Sequence, residues 1–490
     1  MKNKINTNLN KYKKMPQPIK ASFWFTFSNI LSKGIALLAT PIFTRLLTTD
    51  EYGIYTVFQS WSGILIIFTS LNLFMGAFGT GLVEFSEDRD RFTSSLFGLT
   101  TVITSIAVVI YLCNISFWTH VLGISSTNMI AMFIMLYMLP AFEFWATRQR
   151  FEYEYFKLVV ATLGMTIGSI MLGIIFVLLT ENKIEARIYS DLLVKAAIQI
   201  PLVIFIAFKG KVFFNKKYWN YALWFNIPLI PHFLSSIVLN QSDRIMIQRM
   251  VDSSSAAMYG VAYTIGTVVL LVVNAINNSF TPYTYQALKN KQYRGIKRNA
   301  DLLVVFVATM VSISMIFTPE AVLIFAGRKY YEAIWVIPPV ATSVFFIFLY
   351  SLLSNIQYYY KKTTYIALAS IICAILNIIL NFIFIPKIGY LAAGYITLIC
   401  YIMYTCTHLY FCRKVLLTKG INLIEIYSIK KYLYISVGVL LVMIVVAFTY
   451  NFPLIRYFIL IIILITIVIN KSIIVKLLKK IIKKDVDIEQ

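Results

Sequence analysis

Charge is what this chain has least of. Only 13% of its 490 residues are Asp, Glu, Lys or Arg, while 59% are hydrophobic and the mean hydropathy is +0.77. No soluble domain has that composition, which leaves a polytopic membrane protein. Acids are the scarcer sign, 21 against 44 basic residues. The resulting charge of +23 would suit nucleic acid if it formed a patch, but the bases sit in short loops between apolar spans, so that partner is set aside. The five cysteines (Cys113, Cys373, Cys400, Cys406 and Cys412) all fall in apolar segments without metal-ligand spacing, which argues against a disulfide framework, zinc or any other metal. The three histidines, His120, His232 and His408, are scattered. With no nucleophile–base pair, no phosphate loop and no sizeable loop to carry a site, neither catalysis nor a cofactor is expected. A cleavable leader is not expected either, because no short apolar region leads to a small-residue cleavage site before Trp24.

What is present is a succession of apolar stretches of roughly 20 residues, the length that crosses a bilayer as a helix. They fall near 21–47, 54–83, 92–116, 125–147, 157–180, 188–208, 220–248, 255–285, 299–318, 333–360, 364–386, 390–412, 432–450 and 454–475. The expectation is an all-α protein with fourteen transmembrane helices. With the N-terminus in the cytoplasm and alternate loops inside, 33 basic residues fall inside and 7 outside. That asymmetry is the positive-inside signature, and it predicts a multi-pass protein of the cytoplasmic membrane with both termini cytoplasmic. Residues 1–20 form a basic tail, and 476–490 a second one, part of an amphipathic basic stretch that reads equally as lying on the inner leaflet or as a stop-transfer tail.

The two halves repeat at an offset of about 207 residues. RLLTTDEYGIY (Arg45–Tyr55) corresponds to RMVDSSSAAMYGVAY (Arg249–Tyr263), with Tyr52-Gly53 matching Tyr259-Gly260. Arg91 corresponds to Arg298, and RQRFEYEYFK (Arg148–Lys157) to QYYYKKTTY (Gln357–Tyr365). Six helices per unit in one orientation make a parallel repeat about an axis along the membrane normal. The expected organisation is an N-terminal lobe over 21–208, a linker over 209–219, a C-terminal lobe over 220–413 and two extra helices over 432–475.

Polar stripes point to a cavity between the halves. In the first span Thr26, Asn29, Lys33, Thr40 and Thr44 share one helical face. A lysine at mid-membrane costs roughly 2.5–3.5 kcal/mol on insertion scales, so Lys33 is expected to face protein or water rather than lipid. Further stripes are His232, Ser236, Asn240 and Asp243, with Arg244 beside them; Asn274, Asn277, Asn278, Thr281 and Tyr285; Tyr55, Gln59, Ser62 and Thr69; and Ser343, Tyr350, Ser354, Gln357 and Lys361. Any one such residue can simply join helices by hydrogen bonds. The basic residues within spans are Lys33, Arg45, Lys195 and Arg244, and their acidic counterparts are Glu143, Asp191 and Asp243. Local pairs Asp243–Arg244 and Asp191–Lys195 are expected, and Arg45 is placed to snorkel. Lys33 has no acid within four residues and is the leading candidate for an anionic ligand. Asn and Tyr suit sugar hydroxyls. Pro41, Pro228, Pro231 and Pro338-Pro339 are expected to bend their helices.

The segments TPIFTRLLTTDEYGIY (Thr40–Tyr55) and NQSDRIMIQRMVDSSSAAMYGVAY (Asn240–Tyr263), with the surrounding hydropathy, resemble the polysaccharide-biosynthesis flippases. These are the Wzx-like branch of the multidrug/oligosaccharidyl-lipid/polysaccharide exporter superfamily. The resemblance implies two six-helix lobes around a cationic cavity, plus two C-terminal helices. It also implies movement of an undecaprenyl-diphosphate-linked oligosaccharide from the inner to the outer leaflet by alternating access, beside the polymerase and export machinery of the same pathway. On that reading Lys33 meets the diphosphate, Arg45 and Arg244 are secondary candidates, and Asn29, Thr40, Asn240, Asn274, Asn277 and Tyr285 line the path. The competing reading is a cation-coupled exporter of small molecules with the same fold, its coupling acid one of Asp191, Asp243 and Glu143. A polysaccharide polymerase or ligase would need a large outside loop bearing Arg and His, which this chain lacks.

Overall fold

The computed structural model describes residues 16–458 and 461, so the basic tails and most of the last expected span lie outside the described residues. Among the described residues the protein is all helix. The first half comprises α1 (Gln17–Leu46), α2 (Thr49–Ser70), α3 (Ala77–Glu84), α4 (Arg89–Cys113), α5 (Ile115–Leu122), α6 (Ser126–Phe151), α7 (Tyr155–Leu179) and α8 (Lys183–Gly210). The second half comprises α9 (Lys216–Asn226), α10 (Ile230–Met250), α11 (Ser253–Gly266), α12 (Val269–Lys289), α13 (Tyr293–Ile316), α14 (Thr318–Phe325), α15 (Ile337–Tyr359), α16 (Thr363–Ile388), α17 (Tyr390–Leu417), α18 (Leu423–Ile426) and α19 (Ile429–Phe448). Eleven helices are long and apolar enough to cross a membrane, or twelve if α11 and α12, bent by 45°, make one span. The expected fourteen is not reached by that measure: α2 is not among the helices that pass it, and the last expected span lies mostly outside the described residues.

Successive spans run antiparallel, so their connections collect on two faces. The loops near residues 85–88, 152–154, 211–215, 290–292 and 360–362 share a face rich in Lys and Arg, called here the basic face. Ion pairs of Asp90 with Arg148 and, at 3.5 Å, with Lys209 tie three of its helix ends together. The core is densest in the second half, where α15 is buried along almost its whole length from Ile337 to Gln357. Smaller apolar clusters lie in the first half, around Met132 and Leu136 and around Phe78, Phe92 and Phe144.

Three spans are broken, and each break has a local cause. Between α2 and α3 the chain turns through Leu71 and Asn72, both with positive φ. Naked backbone at that depth needs partners within the protein. Asn226, at the end of α9, supplies them: its Nδ2 donates to the Leu71 carbonyl at 2.7 Å and its Oδ1 accepts from the Ala77 N–H at 2.8 Å. A Cβ on Gly76 would stand 2.3 Å from that oxygen, so the turn needs glycine there. The seventh span is interrupted by a 3-10 turn, Ile227–Leu229, which contains the expected Pro228 and is followed by Pro231. The third break is the 45° bend between α11 and α12, where a Cβ on Gly266 would stand 2.8 Å from Val340. Pro338 and Pro339 do not bend a helix as expected. They occupy the first turn of α15, where N–H groups have no intrahelical partner anyway. Pro41 lies inside α1, which continues through it to Leu46.

On the face opposite the basic one, the repeated Tyr-Gly motifs meet. A Cβ on Gly53 of α2 would fall 1.8 Å from the Ser253 carbonyl oxygen at the start of α11, and one on Gly260 would fall 3.3 Å from Thr56. The Tyr52 ring packs edge-on to Tyr330, with centroids 6.1 Å apart. Ser60 Oγ donates to Gln241 at 3.1 Å. Thr44 and Arg45 donate to the carbonyls of Phe325 and Ile324, at 3.2 and 3.0 Å. The two halves are therefore closed on one another at this face. Overpacking a tight contact costs roughly 1–3 kcal/mol. Gly53→Val is accordingly expected to lower cross-linking between cysteines placed at Ser60 and Gln241 several-fold relative to the parent pair. An unchanged yield would contradict this closure.

Candidate functional site

The sequence-picked residues divide into three groups. The first lies along α1. Its exposed apolar residues Phe23, Phe27, Ile30, Leu31, Leu38 and Ile42 centre on one direction. At roughly 100° per residue, Asn29 and Lys33 centre about 140° away from them. Ala21, Ala39 and Phe43 form the buried side. Lys33 and Asn29 are exposed, and among the described residues Lys33 makes no hydrogen bond or ion pair. The expected polar face is thus separate from the apolar one. Thr40, on the same stripe, is buried. Arg45 is held at the end of α1 by the Pro41 and Ile324 carbonyls, 2.9 and 3.0 Å away, at the closed face and far along the helix from Lys33.

The second group surrounds Asp243. The expected Asp243–Arg244 ion pair does not form. Consecutive helical residues point about 100° apart, and the two side chains diverge. Arg244 donates to the Asn240 carbonyl at 3.1 Å and to Gln241 Oε1 at 2.8 Å, and lies over the Tyr263 ring at 4.7 Å. Asp243 is 1% exposed, and its carboxylate accepts from the Tyr259 hydroxyl, from Asn381 Nδ2 at 2.6 Å and from Thr397 Oγ1 at 2.9 Å. Asn377 adds to this network, its Oδ1 accepting from Asn381 and from Ser242, both at 3.1 Å. Four helices, α10, α11, α16 and α17, meet at this buried carboxylate. Asp191 differs. It lies between Lys195 at 3.1 Å, the expected pair, and Arg187 at 3.5 Å. Arg187 had read as a loop residue, yet it is buried inside α8, with its guanidinium over the rings of Phe43 and Tyr55 at 4.3 and 4.8 Å. With two cations already beside it, Asp191 offers little to a third. Glu143 is half-buried in α6 and makes no hydrogen bond or ion pair among the described residues.

The third group lines a cavity of about 310 Å³ within the second half, between α10, α12, α15, α16 and α17. Asn240 and Asn277 line it, with His232, Ser236, Tyr350 and Ser354 from the expected stripes. Asn274, exposed on α12, and Tyr285, its ring tilted against Tyr359 with centroids 5.7 Å apart, lie outside it, as do Arg244 and every residue of α1. The stripes did not include Asn355, Tyr401, Tyr404 or His408, which also line it. Asn377 and Asn381, at helical i and i+4 in an otherwise apolar run, were the readable sign of the Asp243 network. Asn226, which fills the break in the second span, had no sign in its own segment.

The described residues thus form a bundle of apolar helices that holds an exposed lysine and a buried carboxylate network. The sequence model of the polysaccharide biosynthesis proteins matches residues 19–288, more than half of the chain, and the protein belongs to that family. A protein of the Lsg locus of Haemophilus influenzae is 24% identical over 373 residues, spanning 73% of this chain and 89% of that one. Among solved structures, the lipid II flippase MurJ in an inward closed conformation superposes with a TM-score of 0.68 at 16% identity, covering 92% of this chain and 99% of that one. An inward-facing multidrug resistance MATE family transporter of the MOP superfamily gives 0.62 at 12% identity, covering 79% and 96%. The fold is that of this exporter superfamily.

The Asp243 network yields a stability prediction. A polar group left buried without its partner costs roughly 1–3 kcal/mol. Asp243→Ala strands the hydroxyls of Tyr259 and Thr397 and the amide of Asn381, and should lower the thermal unfolding midpoint of the detergent-purified protein markedly. Asp243→Asn, which keeps an acceptor, should lower it less. Equal midpoints for parent and Asp243→Ala would show that the network is not formed.

Proposed function

We propose that this protein flips an undecaprenyl-diphosphate-linked oligosaccharide repeat unit from the inner to the outer leaflet of the cytoplasmic membrane, for assembly of a surface polysaccharide. Family membership supports the polysaccharide pathway. The observation that carries the mechanism is Lys33, an exposed, unpaired cation midway along a membrane-length helix, on the face turned from that helix's exposed apolar residues. Such a charge is costly beside lipid and useful beside a diphosphate. The basic face is taken as cytoplasmic, which also places both termini in the cytoplasm. Residues 21–208 and 220–413 act as the two lobes, joined through 209–219, and the segment over 432–475, of which the structure describes residues to 458 and 461, lies outside the repeat. The closed contact around Gly53 and Ser253 then shuts the cavity from the outside. Separation of the lobes there, with approach on the basic face, is the alternating-access step. Lys33 and Asn29 meet the diphosphate; Arg244, Asn240, Asn274, Asn277 and Tyr285 line the route of the glycan, and Thr40 and Arg45 belong to its outer exit. The polymerase and export machinery of the pathway receive the product.

A cation-coupled cycle is supported by one specific observation, the buried Asp243 carboxylate with oxygen-bearing neighbours. Of the three acids, Asp243 is the coupling candidate. Asp191 is neutralised by its two cations, and Glu143 has no partner side chain at hydrogen-bond distance. The same acid would serve an exporter of small molecules, the second reading.

Deletion of this protein is expected to remove the surface polymer and to trap the lipid-linked repeat in the inner leaflet, with both restored by the intact chain. Unchanged surface glycan would overturn the flippase reading in favour of the small-molecule exporter. In the complemented strain, Lys33→Ala should abolish polymer export at normal protein levels, and Lys33→Arg should retain part of it. Full export by Lys33→Ala would remove Lys33 from the site.

A further inference from the structure

We propose that the cavity in the second half is a subsite for one uncharged sugar ring of the glycan, separate from the place where the anionic diphosphate binds; the inference rests on the flippase reading. Its wall contains no lysine, arginine, aspartate or glutamate, only amides, hydroxyls, imidazoles and tyrosine rings, with Leu239 and Ile366. A charged ligand would find no counter-ion there. A ring carrying hydroxyl or acetamido groups would find both donors and acceptors, since amides and hydroxyls offer each. Its apolar C–H face would find aromatic surface in Tyr350, Tyr401 and Tyr404. The volume of about 310 Å³ lies at the lower end of small-molecule sites, roughly 300–1,000 Å³, enough for about one or two pyranose rings and not for a long chain.

Two side chains beside the cavity carry buried polar atoms without a protein partner. Asn355 is 7% exposed and its Oδ1 accepts from Thr281, yet its Nδ2 is buried with no partner. His408 is fully buried, with Nδ1 3.1 Å from Gln357 Oε1, while its Nε2 has none. Both residues line the cavity. Buried polar atoms are usually hydrogen-bonded, and these two lie beside the same cavity, where the hydroxyl or amide groups of a ligand are natural partners. Other lining residues are already fixed by their neighbours. Asn277 Oδ1 accepts from Ser351 at 3.0 Å, and Asn240 Oδ1 from Tyr263 at 2.8 Å. The pocket wall is thus held in place around the two free positions, the preorganisation that selective sugar binding needs. Lys33, absent from this wall, leaves the charged part of the substrate to α1.

The test is saturation-transfer NMR on the full-length protein in nanodiscs, with N-acetylglucosamine and glucuronate as probes. The expected result is transfer to N-acetylglucosamine and little to glucuronate. In Asn355→Leu the signal should fall at least fivefold with the unfolding temperature retained. Equal transfer to both sugars, no transfer to either (a cavity holding water only), or a full signal in Asn355→Leu with its fold intact would overturn the subsite. If Asn355→Leu does not fold, Ser354→Ala serves in its place under the same criteria. The flippase reading fails by a different observation, unchanged surface polymer on deletion, so the two failures are distinguishable.

Discussion

In hydrocarbon a polar group has no water to fall back on, and each one must find its partner inside the protein. That constraint accounts for the features that distinguish this bundle from a stack of apolar helices. Where the second span breaks at Leu71, the amide of Asn226 takes up the freed carbonyl and N–H. Where a carboxylate sits inside the second half, a tyrosine, a threonine and an asparagine from three other helices converge on Asp243. Where an arginine is buried in α8, two aromatic rings and Asp191 surround it. Some buried polar atoms still lack a protein partner, among them Arg187 Nε and Asn377 Nδ2 in these same networks and, beside the cavity, Asn355 Nδ2 and His408 Nε2; Lys33 on α1 makes no hydrogen bond or ion pair among the described residues.

The same economy shapes the junction between the halves. Gly53 lets α2 approach the backbone of α11 so closely that no Cβ fits, and Gly260 allows a similar approach in the opposite sense. Small residues at such a seam give close packing without long side chains to unlock, which suits a contact that must open and close. The hydrogen bonds around it, from Thr44, Arg45 and Ser60, end on carbonyls and an amide, groups that water can replace once the seam opens. A transporter needs a closed face held by contacts of this modest kind.

What could be read from the sequence was whatever is local to one helix. Span positions follow from hydropathy, and the face carrying Asn29 and Lys33 from a 100° periodicity. The Asp191–Lys195 pair follows from an i, i+4 spacing, and the Tyr-Gly motifs from the repeat. What could not be read depended on which helices become neighbours. Asp243 and Arg244 are adjacent in the chain and were paired for that reason, yet the helix turns them toward different partners. Asn226 and Arg187 gain their roles from helices far away in sequence. The cavity was half legible: the stripes of α10, α12 and α15 supplied Asn240, Asn277 and Tyr350, while Tyr401, Tyr404 and His408 of α17, spaced by three and four on one helical face, were a readable stripe that went unused.

The parts then combine into one division of labour. On the proposed reading, Lys33 of α1 meets the anionic anchor, the uncharged cavity of the second half takes neutral sugar, and the carboxylate network at Asp243 takes a coupling cation. The central claim is movement of a lipid-linked glycan across the bilayer. It is tested most directly with the purified protein in proteoliposomes carrying an undecaprenyl-diphosphate oligosaccharide labelled on its sugar end with a fluorophore. A membrane-impermeant quencher is then added outside. The account predicts that the protein raises the quenched fraction from about half toward completion, and that Lys33→Ala leaves it at the protein-free level. A quenched fraction that stays at that level with the intact, folded protein would contradict it.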